Sequence, residues 1–489
     1  MRAGILCLAV VAVAAGCGAK KHAASSEPPA SAKASPAAAL HFGPPDSKPS
    51  APLHTLPGLQ PPAVKVEVPA NGVAPGYVFV AEKGGAKRPG GPAILDDRGR
   101  VLWYHQVPKG LEATDFRMQM YKGKPVLTWW QGKIAVAGFG QGEYEVYDGS
   151  YRQIATVKAG DGLEGDLHEF QLTPRGTAFI SIYKEIPGDL SRVGGPKRSW
   201  INDSLVQEVD VATGKVVWQW DALDHVPLSE SVMANEEPAQ HASKRRAFDY
   251  FHVNSVGDGP NGTVLISARN TSAIYLVRRD GSIVWRLGGK KSDFGPKKAV
   301  TFFFQHDARY HADGTLTLFD NGGIPRKEPV SRPLVLRLDQ SAKRASIVRT
   351  YPTKIASPFE GNLELLPDGG AFVGWGGVRR VTEYAPDLKV RFQLLLPYGD
   401  TYRGYRLPWA GDPSGKPLAA VAGGRVYASW NGKLAIARWR VVSGGKTVAT
   451  AAWSGLETSI ALPAGARNVS VEALDAQGRT LGTSDPASS

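Results

Sequence analysis

Three histidines stand just ahead of three similar glycine turns. His306 lies eight residues before Gly314 in HDARYHADG, and His168 lies eight before Gly176 in HEFQLTPRG. His252 lies ten before Gly262 in HVNSVGDGPNG, where the turn is two residues longer. Asp115 and Gly361 hold the matching place ahead of two further turns. One histidine alone is ordinarily a satisfied structural residue, and His225 and His311 are read that way. Three of the ten histidines of the chain in one register call for a common explanation.

Two kinds of chemistry suit three imidazoles. Three histidines and a water form a catalytic zinc site. A neutral imidazole is also a nucleophile near pH 7, and a second one can move protons. The short His-to-His spacing of a metal motif is absent, and no Asp or Glu can be assigned as a carboxylate partner. Asn254 follows His252 by two residues, and Arg269 lies on the next strand. Both are donors suited to a tetrahedral oxyanion such as a sulfate or phosphate group. The residues favour group transfer, with no metal and no cofactor. A metal hydrolase and a non-catalytic binder of an anionic ligand or a partner protein stay open at this point.

The elements that must carry these residues repeat. A strand opened by a small turn recurs at APGYVFVAEKG, GKPVLTWWQG, RGTAFISIYKE, NGTVLISARNTS, DGTLTLFDNGG and DGGAFVGWGG. It alternates with a hairpin, as in ILDDRGRVLWYHQV and IYLVRRDGSIVWRL. Six copies of each, strictly alternating, predict an all-β chain with a six-bladed β-propeller over residues 58–410. The innermost strand of a blade lines the central channel, so residues in one register converge on one ring. Two insertions, near 184–204 and 221–250, read as polar loops on a propeller face. Residues 411–489 show short alternating strands and read as a small immunoglobulin- or fibronectin-like β-sandwich.

The N-terminus reads as an address. Residues 1–16 form a signal peptide, and Ala14-Ala15-Gly16-Cys17 resembles a lipobox, with Cys17 the lipidated residue. Residues 17–57, rich in Ala, Ser, Pro and Lys, read as a disordered tether. The expected location is the cell envelope, outside the cytoplasm, with a lipid anchor in the membrane. Cys7 and Cys17 are the only cysteines, so the mature chain has no internal disulfide. The net charge of +13 is scattered rather than clustered. In an exported protein it suits anionic lipid or small anionic substrates better than nucleic acid.

The stretches DLHEFQLTPRGTAFI, FDYFHVNSVG, LISARNTSAIYLV, QHDARYHADGTLTLFDNG and GNLELLPDGGAFVGWG together resemble the bacterial arylsulfotransferases (the arylsulfate sulfotransferase family). The likeness covers roughly residues 60–409. It implies a propeller of the cell envelope that passes sulfuryl groups from an aryl sulfate donor to a phenolic acceptor. No nucleotide sulfate donor takes part, and a sulfated histidine is the intermediate. It implies His306 as nucleophile, His252, Asn254 and Arg269 as sulfate-binding donors, and His168 as the proton-transfer or positioning residue. The phenol ring would lie among Trp129, Trp130, Tyr250, Phe251, Phe304 or Trp375, unless these fill blade cores. The chain departs from that family's best-known members in lacking their cysteine pair and their N-terminal β-domain.

Overall fold

The computed structural model describes residues 52–85, 88–136 and 138–488. The signal peptide, Cys17 and most of the tether lie outside the described residues. Nearly every described element is a strand, and the α-helices, Ala222–His225 and Glu237–Gln240, are single turns.

Six antiparallel sheets follow one another along the chain. The second holds Glu112–Tyr121, Lys124–Val136, Phe139–Tyr147 and Gln153–Val157 in simple meander order. The fourth (Val253–Asp258 to Ile283–Gly288) and the fifth (His306–Tyr310 to Arg344–Thr350) repeat that order. The third starts at Phe170–Leu172, and Phe248–Asp249 joins it parallel to its third strand. The sixth starts at Asn362–Leu365 and gains Lys65–Val68 as a fifth, outer strand. The first is closed by a late segment, since Gly404–Leu407 pairs with Tyr77–Glu82.

The turns explain the repeat. In the fifth sheet Asp313 accepts hydrogen bonds from the backbone N–H of Thr315 (3.0 Å) and from its hydroxyl (2.6 Å). Gly314 then sits at φ 80°, a left-handed conformation that an L side chain resists. Gly176 repeats this at φ 80° and Gly262 at φ 75°.

Each pair of neighbouring sheets shares its own apolar core. Phe79, Ile94, Phe116 and Trp129 join the first and second sheets. Trp130, Tyr144, Phe170 and Ile180 join the second and third. The series continues to Phe319, Val335, Leu363 and Val373 between the fifth and sixth. Val78, Val80, Phe372 and Phe392 then join the sixth back to the first. Burying one such side chain contributes roughly 1.5–3 kcal/mol, so no interface depends on a single residue.

The chain ends in two further sheets, Leu418–Ala422 with Arg425–Ser429 and Glu457–Ala461, and a four-stranded sheet from Arg438–Ser443 to Thr480–Thr483. Val426, Ile460, Trp439 and Val471 form their common core. Asn431 ties them to the first sheet through both N–H and C=O of Tyr104 (3.0 and 2.9 Å).

Three expectations change. The insertion near 184–204 is not a loop: Thr177–Gly188 and Ser199–Asp210 pair continuously from Thr177↔Asp210 to Gly188↔Ser199, an extended hairpin. Ile201 is buried in the core shared with the fourth sheet, and Ile186 opposite it is half-buried. The segment after Asp221 is also built in, with Val226, Ala234, Ala239 and Phe248 buried in the core between the third and fourth sheets. The end of the tether is docked rather than free. The backbone N–H groups of His54 and Thr55 donate to Glu457 (3.0 and 2.7 Å), and His54 stacks on Tyr427 at 3.5 Å.

Candidate active site

The heads of the inner strands surround a cavity of about 430 Å³. His168, His252, His306 and Arg269 all line it. His306 opens its strand, His252 lies one residue ahead of Val253–Asp258, and His168 lies two ahead of Phe170–Leu172. Two of these strands carry a bulge. One falls between His306 and Arg309, another between Val253 and Ser255, and they re-aim the side chains beside them. The backbone there is strained: His252 (φ 60°), Phe304 (56°), Asp307 (52°) and Glu360 (62°) are left-handed without being glycine. Each such residue costs about 1–3 kcal/mol, and such residues cluster at functional sites.

His306 is held in one tautomer from both sides. The Asn321 amide nitrogen donates to the carbonyls of Ser357 (3.1 Å) and Glu360 (2.9 Å), which leaves its oxygen to face the ring. Nδ1–H of His306 donates to that oxygen at 2.7 Å. On the opposite edge, the backbone N–H of Glu360 donates to Nε2 at 3.3 Å. Nε2 therefore carries a lone pair. Burial, and then the nearby Arg269 charge, holds His306 well below the ordinary imidazole range, so the ring is neutral.

His168 and His252 each have a carboxylate at Nδ1, contrary to the sequence reading. His168 contacts Asp166, whose carboxylate also accepts from Gly140 N–H at 2.7 Å. His252 bonds Asp249 at 2.5 Å, and Asn270 donates to the same oxygen at 2.8 Å. Asp166 precedes its histidine by two residues and Asp249 by three. That common upstream acid was the available signal. The two rings lie 4.9 Å apart, edge to face, and both rings neighbour Tyr183. Burial lowers the basicity of His252 more than Asp249 restores it.

Arg269 makes no ion pair among the described residues. Its guanidinium stacks 4.2 Å from the Phe304 ring centroid and donates to Asn270 Oδ1 at 2.7 Å. Burial lowers its pKa, but a guanidinium stays charged. A charged arginine with no direct ion pair among the described residues, in one cavity with three imidazoles, can hold an anion. Asn254 is not in the cavity wall. It is fully buried and donates to the carbonyl of Gln305, the residue before His306, at 2.7 Å.

The opposite wall comes from residues the sequence reading passed over. Lys83 pairs with Glu360 and with Asp400 (3.0 Å), and Tyr402 stands between His168 and His306 (5.6 and 6.4 Å between ring centroids). Phe139, Leu167 and Phe359 supply apolar surface. The six aromatics expected around a ligand ring are absent from this wall. Trp129, Trp130, Tyr250, Phe251 and Trp375 are fully buried in sheet cores, and Phe304 backs Arg269.

A buried ionic network underlies the site. Arg403, wholly buried, contacts Asp115 (2.9 Å), Asp307 (3.3 Å) and Glu169 (3.4 Å). Arg117 and Arg309 each reach Glu169 at 2.6 Å. Burial alone would raise Glu169, but the three arginines outweigh it and hold its carboxyl far below the ordinary range. Asp115, in the histidine register by sequence, belongs to this network. A second cavity of about 760 Å³ is walled partly by Arg117 and Arg309 and shares no lining residue with the first. His311, in that second wall, bonds Thr317 at 2.9 Å.

The family model described as Arylsulfotransferase (ASST) matches residues 117–396, more than half of the chain. The chain belongs to the arylsulfotransferase family. The matched span holds all three histidines, Arg269, Asn321 and Glu360, whereas Lys83, Asp400 and Tyr402 fall outside it. The curated proteins yield no match to the chain. Among solved structures, the chain is similar to a protein of unknown function from Bacteroides caccae at 15% identity and TM-score 0.41, over 68% of this chain and 98% of that one. It is also similar to the Dos1 propeller (10%, TM-score 0.33, 67% and 68%). A third is the hydrazine synthase of Kuenenia stuttgartiensis (13%, TM-score 0.33, 76% and 96%).

Proposed function

We propose that this protein is a nucleotide-independent sulfotransferase that passes a sulfuryl group from an aryl sulfate to a phenol through His306. The observation that carries this reading is the fixed tautomer of His306. A neutral, buried Nε2 lone pair shares the cavity with an arginine that makes no direct ion pair among the described residues.

The steps follow from the geometry. The sulfate group of the donor binds at Arg269 and at His252, which takes up a proton as the anion arrives. The Nε2 lone pair leaves the Glu360 N–H and attacks sulfur, the bond from sulfur to the aryl oxygen breaks, and the leaving oxygen receives a proton from the His168–Asp166 pair, protonated at His168. The acceptor phenol then occupies the same place. Its oxygen attacks sulfur, the N–S bond breaks, and its proton passes to His168. Such transfers need positioning and charge neutralisation more than covalent chemistry. One binding site used twice implies ping-pong kinetics. Asn254 acts indirectly, by holding Gln305 behind the nucleophile.

Six sheets with cores between successive pairs, the last shared with the first, support a six-bladed propeller for the catalytic part. The two terminal sheets and their common core support a sandwich module. A signal peptide, lipidation at Cys17 and an envelope location complete the proposal and rest on the sequence alone.

The test is intact-mass analysis of the purified protein after incubation with 4-nitrophenyl sulfate. A sulfuryl-sized increase mapped to His306 and lost in His306→Ala is expected. Absence of any adduct and of any transfer across a panel of donors and phenols overturns the reading.

A further inference from the structure

Glu360 touches the nucleophile with its backbone and lines the cavity with its side chain. Its N–H donates to His306 Nε2 at 3.3 Å, and its carbonyl accepts from Asn321, so its position relative to the reacting nitrogen is fixed. Its carboxyl is clamped on one side only: Lys83 takes Oε1. Oε2 is buried and has no hydrogen-bond partner among the described residues. Only 9% of the residue is exposed. Burial and the neighbouring Asp400 charge raise the carboxyl to about 7 against the pull of Lys83. A buried acceptor left without a donor is unfavourable unless a ligand supplies one. The mechanism above uses neither this oxygen nor Lys83. The sulfuryl group belongs at Arg269 and His252, and Phe359 and Leu167 offer apolar surface for a ring.

We infer that Glu360 is a specificity residue, and that the cavity selects aromatic acceptors bearing a second hydroxyl, whose O–H donates to Oε2. This rests on the sulfuryl-transfer reading for the identity of the first hydroxyl. The second hydroxyl is recognised by a lone acceptor held in place by Lys83. A site built around such a group discriminates against the analogue lacking it. Simple phenols enter but leave Oε2 unpaired.

The experiment compares three dihydroxybenzenes with the three methoxyphenols of the same substitution pattern. The measurements, made at about pH 8.5 so that the Glu360 carboxyl is ionised and Oε2 accepts, are kcat/KM for sulfuryl transfer and, separately, calorimetric binding to unsulfated protein. The wild type is expected to prefer at least one dihydroxybenzene over its methoxy partner by about tenfold or more in both measurements. In Glu360→Gln, Lys83 holds the amide carbonyl and the amide nitrogen is left to donate. A hydroxyl and a methoxy oxygen accept equally from it, so the preference collapses toward unity in both measurements. No preference in the wild type, or the same preference in Glu360→Gln, overturns the assignment. A preserved binding preference without sulfuryl transfer overturns the catalytic reading and leaves the assignment of Glu360 standing. Should Glu360→Gln fold poorly, Lys83→Met tests the same point. Glu360 then loses the partner that holds it in place, and the preference is expected to weaken.

Discussion

Asn321 accepts the Nδ1–H of His306 at 2.7 Å, and that bond decides which ring nitrogen is free to attack. The bond crosses from the end of one strand to the head of its neighbour, fifteen residues apart in sequence. Asn321 is fixed in turn by two carbonyls. Removing it lets the ring turn or change tautomer without disturbing the anion site. Asn321→Ala is expected to slow adduct formation on His306 by roughly 10²- to 10⁴-fold, with a much smaller change in donor affinity. Rapid-mixing release of 4-nitrophenol measures both. An unchanged burst rate would show that the ring is held by other means.

Arg269 is expected to act on the transition state more than on binding. It makes no direct ion pair among the described residues, Asp249 acts on it only through Asn270 and across space, and its plane rests on Phe304. Arg269→Ala should reduce kcat/KM by about 10²- to 10³-fold. Arg269→Lys should recover little of this, because an ammonium neither stacks on Phe304 nor presents two donors in a plane. Full activity in the lysine variant contradicts the geometry.

The pH dependence has a defined sign. Burial depresses proton binding at His306 and His252 relative to the ordinary 6.5. His306 therefore stays unprotonated when the pH falls from 7 to 6, and its burst rate with a good leaving group should hold. An anion beside His252 raises that ring's proton affinity, so donor binding takes up protons. Linkage then requires tighter donor binding as the pH falls over the same range. Calorimetry in buffers of differing ionisation enthalpy reads the proton count, and proton release on binding would refute the role given to His252.

Arg403 should matter for folding rather than chemistry. It is wholly buried and faces three carboxylates drawn from three strands. Arg403→Met leaves these carboxylates short of a cation, a loss of about 3–5 kcal/mol. Urea unfolding of the purified chain measures it. A midpoint unchanged from wild type would mean that Arg117 and Arg309 suffice.

The docked end of the tether offers a simpler test. Glu457 accepts from His54 and Thr55, so Glu457→Ala should expose residues 52–57 to proteolysis at native temperature. Cleavage there at the wild-type rate would show that Tyr427 and Ser429 hold the segment without it.

Much of this was determined by sequence alone. Alternating strands and turn glycines specified the sheets, because a period of two and a left-handed turn leave few alternatives. Histidines at the strand heads named the candidate site, since inner strands bring repeated positions together. Other features depended on the tertiary structure. Two bulges re-aim the side chains beside His252 and His306. The partner of His306 arrives from the far end of the next strand. The wall of Lys83, Glu360 and Asp400 joins segments 277 and 40 residues apart, counted from Glu360. The insertion near 184–204 became a hairpin because its apolar face had a neighbouring sheet to cover. In each case the deciding quantity was burial. Whether a polar atom has a partner, and whether a charge is compensated, depends on which distant strands close over it. Periodicity and spacing along a chain carry no record of that.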